Sequence, residues 1–104
     1  MEARGRSSIK DLQEYVAWAT HLRGFDRESL PEKFMLLLEE CGEFARAIRK
    51  ASNIKTDEKS DRHHPDLEAA DILFYLLDIC NKQNINLERA FWEKEEINKK
   101  RVWK

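Results

Sequence analysis

The chain has 104 residues, enough for one compact domain and too few for a second core, so a single domain over residues 1–104 is expected. Hydrophobic residues make up 41% and charged residues 38%, with only 3 Gly and 2 Pro, too little turn material for an all-β fold. The 19 basic and 20 acidic residues leave a net charge of -1 without a long basic run, which argues against a nucleic-acid partner.

No apolar run approaches the roughly 20 residues that span a bilayer, and the opening "MEARGRSSIK" lacks the apolar segment of a signal peptide. No membrane partner is expected, and the chain is expected to be cytoplasmic. Cys41 and Cys80 fall on apolar helical stripes with no further cysteine or histidine at metal-ligand spacing, so both are expected to be reduced core residues.

Four helices follow from start signals and period. Ser8-Ile9-Lys10-Asp11 has capping-box form, and Ile9, Leu12, Val16 and Ala19 recur at helical spacing toward a stop near Gly24. Ser29-Leu30-Pro31-Glu32 is a second capping box, opening a helix that carries Phe34, Leu37, Leu38, Cys41, Ala45 and Ile48 as its main apolar stripe to about Ser52. The polar "NIKTDEKSDRHH" has no periodicity and reads as a mobile connection, closed by Pro65, which opens a third helix to Lys82. Asn86 caps a fourth helix from Leu87 to about Arg101, with Lys99, Lys100 and Arg101 in its last turn, where the helix dipole favours cations.

The second helix carries Glu40 and Glu43 on a separate stripe between Leu36 and Ala47, with Glu39 nearer Arg46 and Met35. In the third helix, apolar residues wrap more than half the circumference and leave one strip with Glu68, Asp71, Tyr75 and Asp78. Each helix therefore offers two carboxylates about one turn apart on one side. Carboxylates ~5 Å apart repel by about 3 kcal/mol per pair at an effective dielectric near 20, and a hard divalent cation would relieve that. Oxygen-only ligands favour Mg²⁺ or Mn²⁺ over zinc. The spacing also permits two solvated strips paired with Arg46, Arg49 and Lys82.

The phrase "EECGE" with Glu40-x-x-Glu43, the 24 residues from 44 through 67, and Glu68-x-x-Asp71 in "EAADILFYLLDICN" resemble the MazG-like nucleotide pyrophosphohydrolases of the all-α NTP pyrophosphatase superfamily. The flanks "RGFDRESLPEKFMLLLEECGE", "NINLERAF" and "KEEINKKRVW" are also similar to that family. The resemblance implies a four-helix, bundle-like all-α fold completed by homo-oligomerisation, as a dimer or a dimer-of-dimers tetramer. It implies hydrolysis of a nucleoside triphosphate between its α- and β-phosphates, to monophosphate and pyrophosphate, with Mg²⁺ as cofactor and Mn²⁺ as a substitute. Glu40, Glu43, Glu68 and Asp71 would be the metal ligands, with Glu39 as a second group near the attacking water. Lys94, Asn98 and Arg101 match the family's Lys-x-x-x-Asn-x-x-Arg pattern and would contact phosphate or sugar.

Trp18 lies off the apolar stripe of the first helix, among Asp11, Glu14 and His21, so it is expected to be exposed, for oligomer packing or for stacking on the substrate's base. Neither base nor sugar is fixed by the sequence. House-cleaning of the nucleotide pool is the expected purpose. A phosphoribosyl-ATP pyrophosphohydrolase or dUTPase-like specificity, or a helical interaction module with a degenerate site, is the alternative.

Overall fold

The structure, a computed structural model, describes residues 8–52 and 64–101. Among them are four α-helices, α1 (Ile9–Arg23), α2 (Leu30–Ala51), α3 (Pro65–Lys82) and α4 (Leu87–Lys99), a short 3₁₀ turn at Phe25–Arg27, and no strand. The fold is all-α. Of the expected connection over 53–64, residues 53–63 lie outside the described residues. The chain forms two compact units, one comprising the segments up to Arg27 and from Leu77 onward, the other Glu28–Leu76; α3 contributes to both.

In the first unit, α1 starts at Ser8, whose Oγ accepts from Asp11 N at 3.0 Å. The first turn of a helix has four backbone N–H groups without intrahelical partners, and α4 supplies acceptors for two of these in α1. Glu88 Oε1 accepts from Ile9 N at 3.0 Å and from Lys10 N at 3.4 Å. The service is reciprocal, because Gln13 Oε1 on α1 accepts from Leu87 N at 3.0 Å in the first turn of α4.

Gln13 is buried, and its Nε2 donates to Asn81 Oδ1 at 3.0 Å and to the Ile85 carbonyl at 2.8 Å. Asn81 Nδ2 returns a bond to the Gln13 carbonyl at 2.9 Å. Around this amide hub, Val16, Ala19, Leu77, Ile79 and Cys80 are buried. Gly24 ends α1 in the left-handed region at φ 76, a conformation that a residue without Cβ adopts freely. Asn84 takes the same region at φ 55 after α3, with Ile85 N donating to the Cys80 carbonyl at 2.8 Å.

The second unit begins with the expected capping box. Glu32 N donates to Ser29 Oγ at 3.3 Å, and Ser29 N donates to Glu32 Oε1 at 2.9 Å, a bond that holds the Glu32 carboxyl below its ordinary pKa. One turn on, Lys33 is completely buried and its Nζ stands 3.5 Å from Glu28 Oε1. A buried ammonium is tolerated only with compensating oxygen partners.

The buried side of α2 differs from the expected one. Lys33, Ala47 and Lys50 are buried and Leu36, Leu37, Glu40 and Phe44 half-buried, whereas Phe34, Leu38, Cys41, Ala45 and Ile48 are exposed. Hydrophobicity alone favours the second set, but within one chain the lysine stems and Ala47 take the inside position. The expectation that Cys41 is a core residue is therefore corrected: Cys41 is exposed, and only Cys80 is buried. Burial also pushes the Cys80 thiol pKa up. Gly42, in mid-helix, is worth about 1 kcal/mol less than alanine in helix propensity, yet a Cβ there would meet nothing within 4 Å.

The fourth helix is shorter than expected, ending at Lys99 with Lys100 as cap. Arg101 follows the cap, its N–H bonded to the Asn98 carbonyl at 3.1 Å.

Candidate metal centre

Two helices of the second unit bring the acidic residues together. Glu40 comes from the half-buried side of α2, while Glu68 and Asp71, one turn apart, come from the first half of α3. One carboxylate oxygen of each lies within 4.8 Å of the others. Helical spacing explains why α3 presents its pair on one side. The local backbone is secured by the His64 carbonyl, which accepts from Leu67 N and Glu68 N at 3.1 Å each and occupies orphan donors of the first turn.

The electrostatics single out Glu40. Its carboxyl is pushed above the ordinary 4.5, first by burial, then by the negative charges of Asp71, Glu68, Glu43 and Glu39 in that order. Both causes disfavour the ionised form. A carboxylate desolvated beside four others is the kind of position that a cation stabilises.

The donor set suits a hard ion: oxygen atoms only, with neither Cys nor His among them. Glu40 and Glu68 are half-buried and Asp71 is exposed, so the site has an open side on which waters or a ligand's oxygens can complete a coordination shell. Such an ion offers charge neutralisation and a Lewis-acid surface for phosphate oxygens.

Three of the four expected metal ligands thus stand in one group. Glu43 is exposed and lies outside it, although its charge is felt at Glu40. Glu39 is exposed as well. The remaining expected site residues belong to the other unit. Trp18 is 38% exposed and packs its ring against Tyr15 with centroids 5.6 Å apart. Lys94 and Asn98 share one side of α4, exposed and half-buried respectively, while exposed Arg101 lies past the helix end. Asn98 and Arg101 each have interaction partners.

Asp78, on the acidic strip of α3, is buried and partnered. Sequence reasoning missed Lys33, which lies seven residues before Glu40 and hence on the same side of α2. The available signal was that spacing, outweighed by the usual exposure of lysine.

Fold and acidic group together define an all-α protein with a candidate divalent-cation centre. The family model of the MazG nucleotide pyrophosphohydrolase domain matches residues 30–103, and the chain belongs to that family. The matched segment contains Glu40, Glu68 and Asp71. No curated protein and no solved structure matches the chain. Among the described residues, no helix is long and apolar enough to cross a membrane.

Proposed function

We propose that the protein hydrolyses nucleoside or deoxynucleoside triphosphates to the monophosphate and pyrophosphate, with Mg²⁺ held by Glu40, Glu68 and Asp71. The observation that carries this reading is the convergence of three carboxylate oxygens from two helices within 4.8 Å, in a chain of the MazG family. Mg²⁺ supplies neutralisation of phosphate charge and acidification of a bound water; Mn²⁺ can substitute.

The chain's own residues do the rest. Glu40, Glu68 and Asp71 fix the cation, and Glu43, one turn along α2, joins them when substrate and metal are bound. Glu39 accepts the proton of the attacking water. Lys94, Asn98 and Arg101 bind phosphate or sugar oxygens, where Arg and Lys cations offset the charge of a triphosphate. Trp18 offers an indole face for the base. The enzyme works as a single domain in a cytoplasmic homo-oligomer, a dimer or a tetramer, and serves nucleotide-pool house-cleaning.

The decisive experiment is a panel of nucleoside triphosphates and diphosphates incubated with Mg²⁺ or EDTA, with pyrophosphate and orthophosphate measured separately. Pyrophosphate and monophosphate are expected only with the metal. Orthophosphate with a nucleoside diphosphate, or release indifferent to EDTA, would overturn the reading.

A further inference from the structure

The first unit carries a pocket of its own, built without any residue of the acidic group. It lies between α1 and the turn that leads from α3 into α4, and its volume is about 360 Å³, at the lower end of the range for small-molecule sites, which begins near ~300 Å³. One wall is the side of α1 that bears Lys10, Gln13, Glu14 and Ala17, residues whose spacing puts them on a single helical face. The other wall is Asn81 at the end of α3 together with the run Asn84-Ile85-Asn86.

Both walls are held in place by the protein's own hydrogen bonds. The buried Gln13 carboxamide ties α1 to Asn81, to the Ile85 carbonyl and to Leu87 N. Asn81 in turn uses one N–H and one oxygen lone pair on Gln13. A carboxamide has two of each, so Asn81 keeps one donor and one acceptor, side by side and in a fixed orientation. The chain turns at Asn84 with φ 55, a conformation that glycine most often supplies after a helix. Asparagine tolerates the same conformation and adds a second carboxamide to the wall. Asn86 uses its Oδ1 as the acceptor for Arg89 N, and its Nδ2 is a donor.

The groups left over select a ligand. A donor beside an acceptor on one planar group matches the edge of a nucleobase, and asparagine pairs in this two-bond manner with adenine. Ile85, 42% exposed, and the exposed methyl of Ala17 offer apolar surface to the face of a ring. Among the described residues, neither the Lys10 ammonium nor the Glu14 carboxylate is in an ion pair. A carboxylate accepts hydrogen bonds from ribose hydroxyls, and an ammonium donates to a sugar oxygen. The two charges cancel within the pocket, so no surplus of positive charge is present for a triphosphate, which calls for clustered Lys and Arg.

We propose that this pocket is a second ligand site, one that takes an uncharged adenine nucleoside, its base against Asn81 and Asn84 and its ribose at Glu14. The site is independent of the hydrolysis proposed above, because its ligand carries no phosphate and its occupancy is read without metal or turnover. Gln13 keeps its structural part, and the ligand uses only what the amide hub leaves over.

Titration calorimetry of the whole chain in EDTA, with adenosine, 2′-deoxyadenosine and adenosine 5′-triphosphate as probes, tests this directly. Adenosine is expected to bind in the millimolar range or tighter, and the triphosphate at least ten-fold more weakly. Ala17→Phe fills the pocket without removing a polar group, and Asn84→Gly removes a carboxamide while suiting the left-handed turn; each should weaken adenosine at least ten-fold, with helix content by circular dichroism unchanged. Glu14→Ala should weaken adenosine more than 2′-deoxyadenosine and so narrow the gap between them. Glu68→Gln should leave adenosine binding as it is. In the wild type, adenosine should shift the side-chain amide resonances of Asn81 and Asn84.

Absence of adenosine binding overturns the proposal, as does tighter binding of the triphosphate than of adenosine in EDTA. Adenosine binding that survives both Ala17→Phe and Asn84→Gly, or that is lost in Glu68→Gln, places the ligand elsewhere and overturns it too. Should a variant unfold, the wild-type order of ligands and the Asn81 and Asn84 resonances still decide.

Discussion

The two units use their polar groups in opposite ways. In one, Gln13, Asn81 and Glu88 join α1, α4 and the end of α3 through direct hydrogen bonds. In the other, Glu40, Glu68 and Asp71 are gathered in one group, where burial and then the charges of Asp71 and Glu68 disfavour the ionisation of Glu40. Satisfied amides hold structure without needing a ligand. Clustered like charges are unfavourable until something cationic arrives, and that asymmetry makes the acidic region the candidate for binding a cation and the amide region the candidate for support.

The strongest way to break the comparison is through activity. Glu40→Gln, Glu68→Gln and Asp71→Asn each preserve shape and remove one charged donor, and each should lower kcat/KM for pyrophosphate release by at least about a hundred-fold. Full activity in all three would make the carboxylates ordinary surface groups.

Next comes metal-linked stability. At about a hundred times its Kd, Mg²⁺ should stabilise the wild type by roughly 2.7 kcal/mol, and Glu68→Gln far less. In EDTA the order reverses, with Glu68→Gln melting above wild type because like-charge repulsion is relieved. Melting curves at one protein concentration, with EDTA and with excess Mg²⁺, read both effects.

The amide region should behave in the contrary way. Gln13→Leu removes the side-chain partner of the Leu87 N–H, the Asn81 Oδ1 and the Ile85 carbonyl and should destabilise by about 2 kcal/mol. Glu88→Ala, which removes the acceptor for Ile9 N and Lys10 N, should cost about 1 kcal/mol. Both losses, measured by urea denaturation, should be the same in EDTA and in Mg²⁺. A loss that depended on the metal would join the two regions energetically and dissolve the distinction.

The finest test is pH. The folded pKa of Glu40 is raised above 4.5, so without metal the stability linked to its proton is fully present below about pH 4.5 and is lost as pH rises through the raised value. Glu40→Gln carries no such loss. Its Tm advantage over wild type in EDTA should therefore be absent in acid and grow with pH, then vanish or reverse in excess Mg²⁺. An advantage independent of pH would show that Glu40 is not the strained group.

Helix limits were legible wherever a residue type has one structural use. Ser29 with Glu32, Gly24 and Pro65 mark ends that the structure reproduces. The end of α4 was less legible, because Lys99, Lys100 and Arg101 favour a C-terminus without fixing which of them closes it. The pairing of carboxylates one turn apart was readable from period alone, but Glu43's position outside the group was not, since that depends on where α3 meets α2. The buried side of α2 was not legible because an apolar stripe in the sequence carries no sign of whether its own chain covers it, and Phe34, Leu38 and Ile48 are exposed. Gln13 was passed over for the converse reason: a lone amide on an apolar stripe gives no sign that its partners lie some seventy residues away.

The exchange of acceptors between α1 and α4 also orders events in time. Ile9 and Glu88 are 79 residues apart, a gap that takes roughly 4–16 s to synthesise at 5–20 residues per second. Through that interval α1 has its own Ser8 cap but lacks both the Glu88 carboxylate at its start and the Asn81 side chain beside Gln13. A helix of 15 residues is marginal alone in water, so α1, although synthesised before α4, is secured only once α4 has been made.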